Sequence, residues 1–126
     1  MTASRPIRVA ARVREELAEL LSQRVNDPRV AGVLVTNVEV TPDLLDARVR
    51  IRLTGNDDAA ARKSALKGLE SASGFLRREL GARLQLRNAP RLAFFYDESI
   101  ERSRRIDEVL AEIASSPKAK DPSDDE

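Results

Sequence analysis

Residues 59–84 read AAARKSALKGLESASGFLRRELGARL, and the fold turns on how this stretch is read. At about 100° per residue, Leu66, Leu69, Leu76, Leu80 and Leu84 share one stripe of a helix, with Ala65, Ala72 and Ser73 filling it. The turn before it, Thr54-Gly55-Asn56-Asp57-Asp58, offers Asn and Asp side chains that can cap the first N–H groups. Phe75 does not fit. On a straight helix it points more than about 90° away from the centre of the stripe, which leaves a large aromatic ring in water. Ser73 and Gly74 stand beside it, and glycine is where a helix is broken at least cost. The spacing therefore predicts a kink or a helix-turn-helix at Ala72-Ser73-Gly74 that turns Phe75 inward.

Working outward, Val9, Val13, Leu17, Leu20 and Leu21 fall within one arc of a helix from about Pro6 to about Val25, closed by Asn26-Asp27-Pro28. Two β-rich runs follow, Gly32 to Val40 and Ala47 to Leu53, joined by Pro42-Asp43 turn chemistry. In the second, Ala47, Val49, Ile51 and Leu53 alternate with Arg48, Arg50 and Arg52, so one face is buried and the other is an arginine row. Beyond Asn88-Ala89-Pro90, Leu92, Phe94 and Tyr96 alternate as a third strand, and Ile106, Val109, Leu110 and Ile113 form the stripe of a last helix. The order is α-β-β-α(kinked)-β-α, an α+β class. We expect one domain over residues 1–114 and a disordered acidic tail over 115–126, where almost nothing is apolar.

Composition narrows the functions. The 126 residues are 41% hydrophobic and 34% charged with few aromatics, which suits one soluble domain with an aliphatic core. Cysteine and histidine are both absent, so thiolate nucleophiles, imidazole bases and the common zinc sites are excluded, and no cofactor or metal is expected. No apolar run reaches signal-peptide or membrane-span length, so a cytoplasmic protein without a membrane partner is expected. The paired carboxylates Asp57 with Asp58 and Asp124 with Asp125 read as a helix cap and as tail, which leaves no acid and base held in a cleft. The net charge is only +1, but the last twelve residues carry two lysines against four acids, which leaves +3 for residues 1–114. An RNA reading must therefore rest on clustering of charge.

Two clusters stand out. On the long helix, Lys63, Lys67, Gly74 and Arg78 project to one side, with Arg77 at its edge: a notch without a side chain among bases. Glycine lets another chain approach closely, N–H groups freed at a break in the helix can bind an anion, and the cations neutralise phosphates. A solvated helix face whose glycine is merely a kink accounts for the same pattern. On the first helix, Arg5, Arg8 and Arg12 precede Glu15, Glu16 and Glu19, an order that opposes the helix dipole, although pairing of Arg12 with Glu16 explains it equally well. The arginine row of the second strand could face RNA, but reads better as a solvated sheet face paired to Glu39 and other strands.

With these elements in place, the chain resembles the ribosome-binding factor A family. The resemblance rests on Arg5-Pro6-Ile7-Arg8-Val9, Asp27-Pro28-Arg29, Val38, Asp43-Leu44, Ala47 and Val49. It continues through Ala72-Ser73-Gly74-Phe75-Leu76-Arg77, Leu80-Gly81, Pro90, Leu92, Phe94, Tyr96-Asp97 and Ser99. Such a resemblance implies a single type II KH-like domain, with a three-stranded sheet and helices on one face, in which an alanine-x-glycine kink replaces the GxxG loop of RNA-binding KH domains. No GxxG occurs in the chain. It implies a non-catalytic factor that binds the free 30S ribosomal subunit and its 16S rRNA, assists late folding and processing of the 16S 5′ end, and acts as a monomer. The RNA-binding residues would be Lys63, Lys67, Ala72, Ser73, Gly74, Arg77 and Arg78, with Arg5, Arg8 and Arg12. Two positions depart from the pattern, Arg91 where an acid is common and Ser103 where glycine is common, and Arg91 would add positive charge near the groove. The alternative is a KH-like protein-interaction domain that binds a ribosomal protein or a 30S assembly GTPase, with incidental RNA contact.

Overall fold

A computed structural model describes residues 4–115; the tail beyond Ser115 lies outside them. Helix α1 (Arg5–Gln23) is followed by a 3-10 turn (Pro28–Val30), strands β1 (Val33–Val40) and β2 (Asp46–Leu53), helix α2 (Ala59–Leu84), strand β3 (Arg91–Tyr96) and helix α3 (Ser99–Ser115). The α+β class and the element order are those expected.

Each boundary has a local cause. The Ser4 side chain accepts from the N–H of Ile7, and Pro6 occupies the first turn, where its missing N–H costs nothing. Asp58 caps α2 by accepting from the N–H of Ala61 at 2.8 Å, and Gln85 ends it in the left-handed region with φ 55°. In the β1–β2 turn, Asp43 accepts from the N–H of Leu45, and Leu44 is left-handed at φ 63°.

The sheet has the order β1-β2-β3, with β2 antiparallel to β1 and parallel to β3. A parallel neighbour needs a crossover, and α2 supplies it. Ala47, Val49 and Ile51 on the central strand are at most 1% exposed. They meet Val13, Leu17 and Leu20 of α1 and Leu69, Leu76 and Leu80 of α2, all with no exposure. Both helices thus cover one sheet face, and Arg48, Arg50 and Arg52 lie on the other.

Of the two forms expected at Ala72-Ser73-Gly74, the helix-turn-helix does not occur, because α2 is helical throughout its 26 residues. Phe75 still leaves water, because the covering surface is wider than the leucine stripe implied. The end of α1 and the 3-10 turn lie over that side of α2, and the Arg24 guanidinium sits 5.6 Å from the centroid of the Phe75 ring. The glycine that matters for this contact is Gly68. It is buried, and a Cβ there would stand 2.9 Å from both Arg29 Cβ and Val30 Cγ1. At Gly74 the nearest atom would be an Arg78 guanidinium nitrogen at 3.7 Å.

Strand β3 hands over to α3 at a fixed joint. Asp97 accepts from the Thr36 hydroxyl at 2.6 Å and from the N–H of Ser99 at 2.9 Å, while its backbone carbonyl accepts from Arg52. These hydrogen bonds hold the Asp97 carboxyl down at about 2. The apolar stripe of α3 does not join the core. Ile106, Val109, Leu110 and Ile113 are 48–59% exposed, and among the described residues α3 packs extensively on no other element. The core closes without it.

Gly68→Ala should destabilise the fold by about 1 kcal/mol or more, since overpacking outweighs the gain in helix propensity. Gly74→Ala should be neutral or stabilising by up to about 1 kcal/mol. Denaturant midpoints of the two variants check this pair. The depressed pKa of Asp97 means that its stabilising contribution is complete above the unfolded value near 4 and is lost as pH falls toward 2. Asp97→Asn should therefore flatten the stability profile between about pH 4 and pH 2 while leaving its shape near pH 7 unchanged, as thermal melts across that range would register.

Candidate nucleic-acid interface

Helix α2 presents its polar side along its whole length, so residues spaced by three, four or seven align on it. Lys63, Lys67, Gly74, Arg77 and Arg78 are all exposed there, as expected. From Lys63 to Arg78 is fifteen residues, or about 22 Å along the axis. The stripe is not purely basic, because Glu70 falls on it and is exposed.

The surface beside this stripe is shaped into two hollows. Lys63 and Lys67, with Arg62, Leu66 and Glu70, face β3 across a cleft of about 650 Å³ whose far wall is Leu92 to Phe95. Farther along, Gly74, Arg77 and Arg78 meet Arg87 and the 86–89 loop around a second hollow of about 460 Å³. Arg87 escaped the sequence reading. It lies just past the helix end, where periodicity no longer assigns a direction, and only the fold of the loop brings it beside Arg78.

Arg5, Arg8 and Arg12 line a third hollow of about 570 Å³ with Leu84 and Leu86. Leu86 lines both this hollow and the one around Arg78. The α1 arginines and the far end of α2 are therefore neighbours, separate in sequence but joined at the 86–89 loop. The result is a basic belt from Arg5 through Arg87 and Arg78 to Lys67 and Lys63.

Members of the belt differ in what else they do. Arg77 donates from Nε to the carbonyl of Ala89 at 3.0 Å and so ties the loop to α2. Arg12 stands 3.9 Å from Glu16, the helical pair anticipated above. Among the described residues, Arg5, Lys63, Lys67, Arg78 and Arg87 make no hydrogen bond or ion pair through their side chains. Their charge is left to the surroundings. Ala72 and Ser73 are half-buried; Ala72 packs against the core, and the Ser73 hydroxyl donates to the carbonyl of Glu70 at 2.8 Å. Of the expected alanine-x-glycine element, only Gly74 is open to solvent.

Other arginines turn inward on the fold. Arg50 reaches Glu39 at 3.5 Å, and Arg52 bonds the Asp97 carbonyl and stacks over Tyr96 at 5.6 Å. The arginine row is thus largely occupied within the sheet, with Arg48 left exposed. Arg91 does not add free positive charge: it grips Asp46 with two bonds of 2.8 and 2.9 Å. No cluster of metal-ligating side chains occurs among the described residues.

Comparison with known proteins falls on one family. The family described as ribosome-binding factor A matches residues 5–110. A ribosome-binding factor A from Sorangium cellulosum (strain So ce56) is 54% identical over 110 residues, covering 86% of this chain and 88% of its own. One from Anaeromyxobacter dehalogenans (strain 2CP-C) is 46% identical over 112 residues, covering 88% and 80%. The crystal structure of ribosome-binding factor A from Thermus thermophilus superposes with a TM-score of 0.63 at 26% identity, over 74% of this chain and 97% of that one. A homology model of the Thermus thermophilus factor, fitted into a cryo-EM map of its complex with 30S, superposes at 0.57 with 27% identity, over 71% and 91%.

Arg77→Ala should cost about 1 kcal/mol by freeing the 86–89 loop, while Arg78→Ala should stay within about 0.5 kcal/mol of the parent. Urea unfolding of the two neighbouring variants separates a structural arginine from one directed outward.

Proposed function

This chain belongs to the ribosome-binding factor A family, and from that premise we propose that it binds the free 30S ribosomal subunit through 16S rRNA and assists late folding and processing of the 16S 5′ end. It acts as a non-catalytic binding protein in the cytoplasm. The observation that carries the reading is the belt of cations without partners in the chain, Arg5, Arg87, Arg78, Lys67 and Lys63. Unpaired cations aligned over about 22 Å of helix suit a run of backbone phosphates, whose neutralisation releases condensed counterions and supplies affinity without reading sequence. Gly74 lies between Lys67 and Arg78, and a Cβ there would meet only the far end of the Arg78 side chain, at 3.7 Å. A backbone of the partner can approach there, while the chain itself has no packing need for glycine at that point.

Phe94 and Phe95 line the cleft beside Lys63 and Lys67 and offer a base a local stacking surface, while the cations along the rest of the belt meet phosphate. Shape does the selecting. The two hollows flanking α2 and the third beside α1 fix which fold of RNA can follow the belt, a mode suited to a structured ribosomal RNA.

Lys67→Glu with Arg78→Glu should leave stability within about 0.5 kcal/mol, because both side chains are exposed and unpaired. Binding to purified small subunits should weaken, and the slope of log affinity against log salt should fall by about 1.4 to 1.8 for two lost phosphate contacts. An unchanged slope and affinity would place the RNA surface elsewhere.

A further inference from the structure

The hollow where α1 passes the end of α2 has an apolar floor. Val9 and Leu84 reach it from helices that pack on the core, and both are half-buried. Leu86 completes the floor without joining the core. The backbone holds it there: Gln85 turns left-handed at φ 55°, and the N–H of Leu86 donates back to the Gly81 carbonyl at 3.2 Å. A leucine is thus fixed against a space of about 570 Å³, within the roughly 300 to 1,000 Å³ of small-ligand sites.

The rim carries both signs of charge. Arg5, Arg8 and Arg12 line it together with a single acid, Glu15. Arg5 makes no hydrogen bond or ion pair through its side chain, and Arg12 stands 3.9 Å from a Glu16 carboxylate that Arg83 holds more closely, at 2.8 Å. Glu15 is exposed and, among the described residues, has no hydrogen bond or ion pair despite the arginines beside it. Three needs therefore meet at one place: an anion for the arginines, a flat apolar surface for the floor, and N–H donors for the carboxylate.

A nucleotide supplies all three, and the base is specified by the carboxylate. Of the four RNA bases, guanine alone sets two adjacent N–H donors, at N1 and N2, on its Watson–Crick edge, which matches the two oxygens of a carboxylate. Building on the reading of the belt as an RNA surface, we propose that this hollow takes one unstacked guanine nucleotide of the bound RNA. The base packs on Leu84 and Leu86, its Watson–Crick edge donates to Glu15, and its phosphate meets Arg5 and Arg12. Leu86 also lines the hollow around Arg78, so a strand that follows the belt arrives at the site without a break. An acidic peptide drawn in by the arginines would instead bring like charge up to Glu15. The pocket adds one base-specific contact to a surface that otherwise follows phosphate.

Fluorescence anisotropy of the full chain at low salt, with short oligouridine strands carrying one central guanosine, inosine or adenosine, tests the site. The guanosine strand should bind about tenfold more tightly than the adenosine strand. Inosine, which keeps N1–H and lacks the N2 amine, should fall between them. Glu15→Gln should bind the three strands alike at an unchanged melting temperature, since an amide presents one acceptor and the native side chain is exposed without a partner. Arg5→Ala should lower the salt slope by about 0.7 for every strand. Equal binding of the three strands by the parent would overturn the pocket and leave the belt standing, and a guanosine preference that survives Glu15→Gln would overturn it by placing the base elsewhere. Small-subunit binding that falls with Leu86→Ser, in the absence of any guanosine preference, would give the hollow to a ribosomal protein. Failure to bind any strand would also overturn the pocket, while the belt answers separately to the Lys67→Glu with Arg78→Glu variant.

Discussion

Burial of β2 on one face and in the middle of the sheet constrains everything else in this chain. Ala47, Val49 and Ile51 are closed over by α1 and α2, and the strand bonds to a neighbour on each side. Because β3 runs parallel to β2, the chain must cross from one end of the sheet to the other between them, and a 26-residue helix makes that crossing. The long helix is therefore a topological necessity. Its polar side, which the core does not use, becomes the longest regular surface on the molecule.

The basic belt follows from that geometry. An uninterrupted helix keeps Lys63, Lys67 and Arg78 in line, as a broken one would not. The return to β3 folds the 86–89 loop beside the start of α1, which brings Arg87 next to Arg78 and both near Arg5, Arg8 and Arg12. Arg77 and Arg83 then serve the frame, the first holding Ala89 and the second bridging to Glu16 and Glu19 of α1. Cations of the same type thus divide between holding the fold and facing outward, according to whether an oxygen of the chain lies within reach.

Most of the fold was legible because its period is simple. Alternation in Ala47 to Leu53 marked the central strand, and the leucine stripes marked α1 and α2. What escaped depended on contacts distant in sequence. Phe75 looks misplaced only because the cover from Arg24 and the 3-10 turn cannot be seen from α2 alone, and the glycine needed for that cover is Gly68 instead of Gly74. The stripe of α3 is legible as a helix face, but its exposure is not, since periodicity shows that a face is apolar without showing what it meets. On the basic belt, the alignment of Lys63, Lys67, Gly74 and Arg78 was legible from helical spacing. Arg87 was not, because a loop residue has no period, and the pairing of Arg91 with Asp46 required the register of β2 against β3.

The chain has four lysines, two on the belt and two in its last twelve residues, which makes one measurement unusually direct. Lysine acylation followed by mass spectrometry, on the free chain and on the chain bound to purified small subunits, reads whether the polar side of α2 is the surface that meets ribosomal RNA. Protection of Lys63 and Lys67 on binding is the predicted result. Equal reactivity of both lysines in the free and bound states would contradict the account.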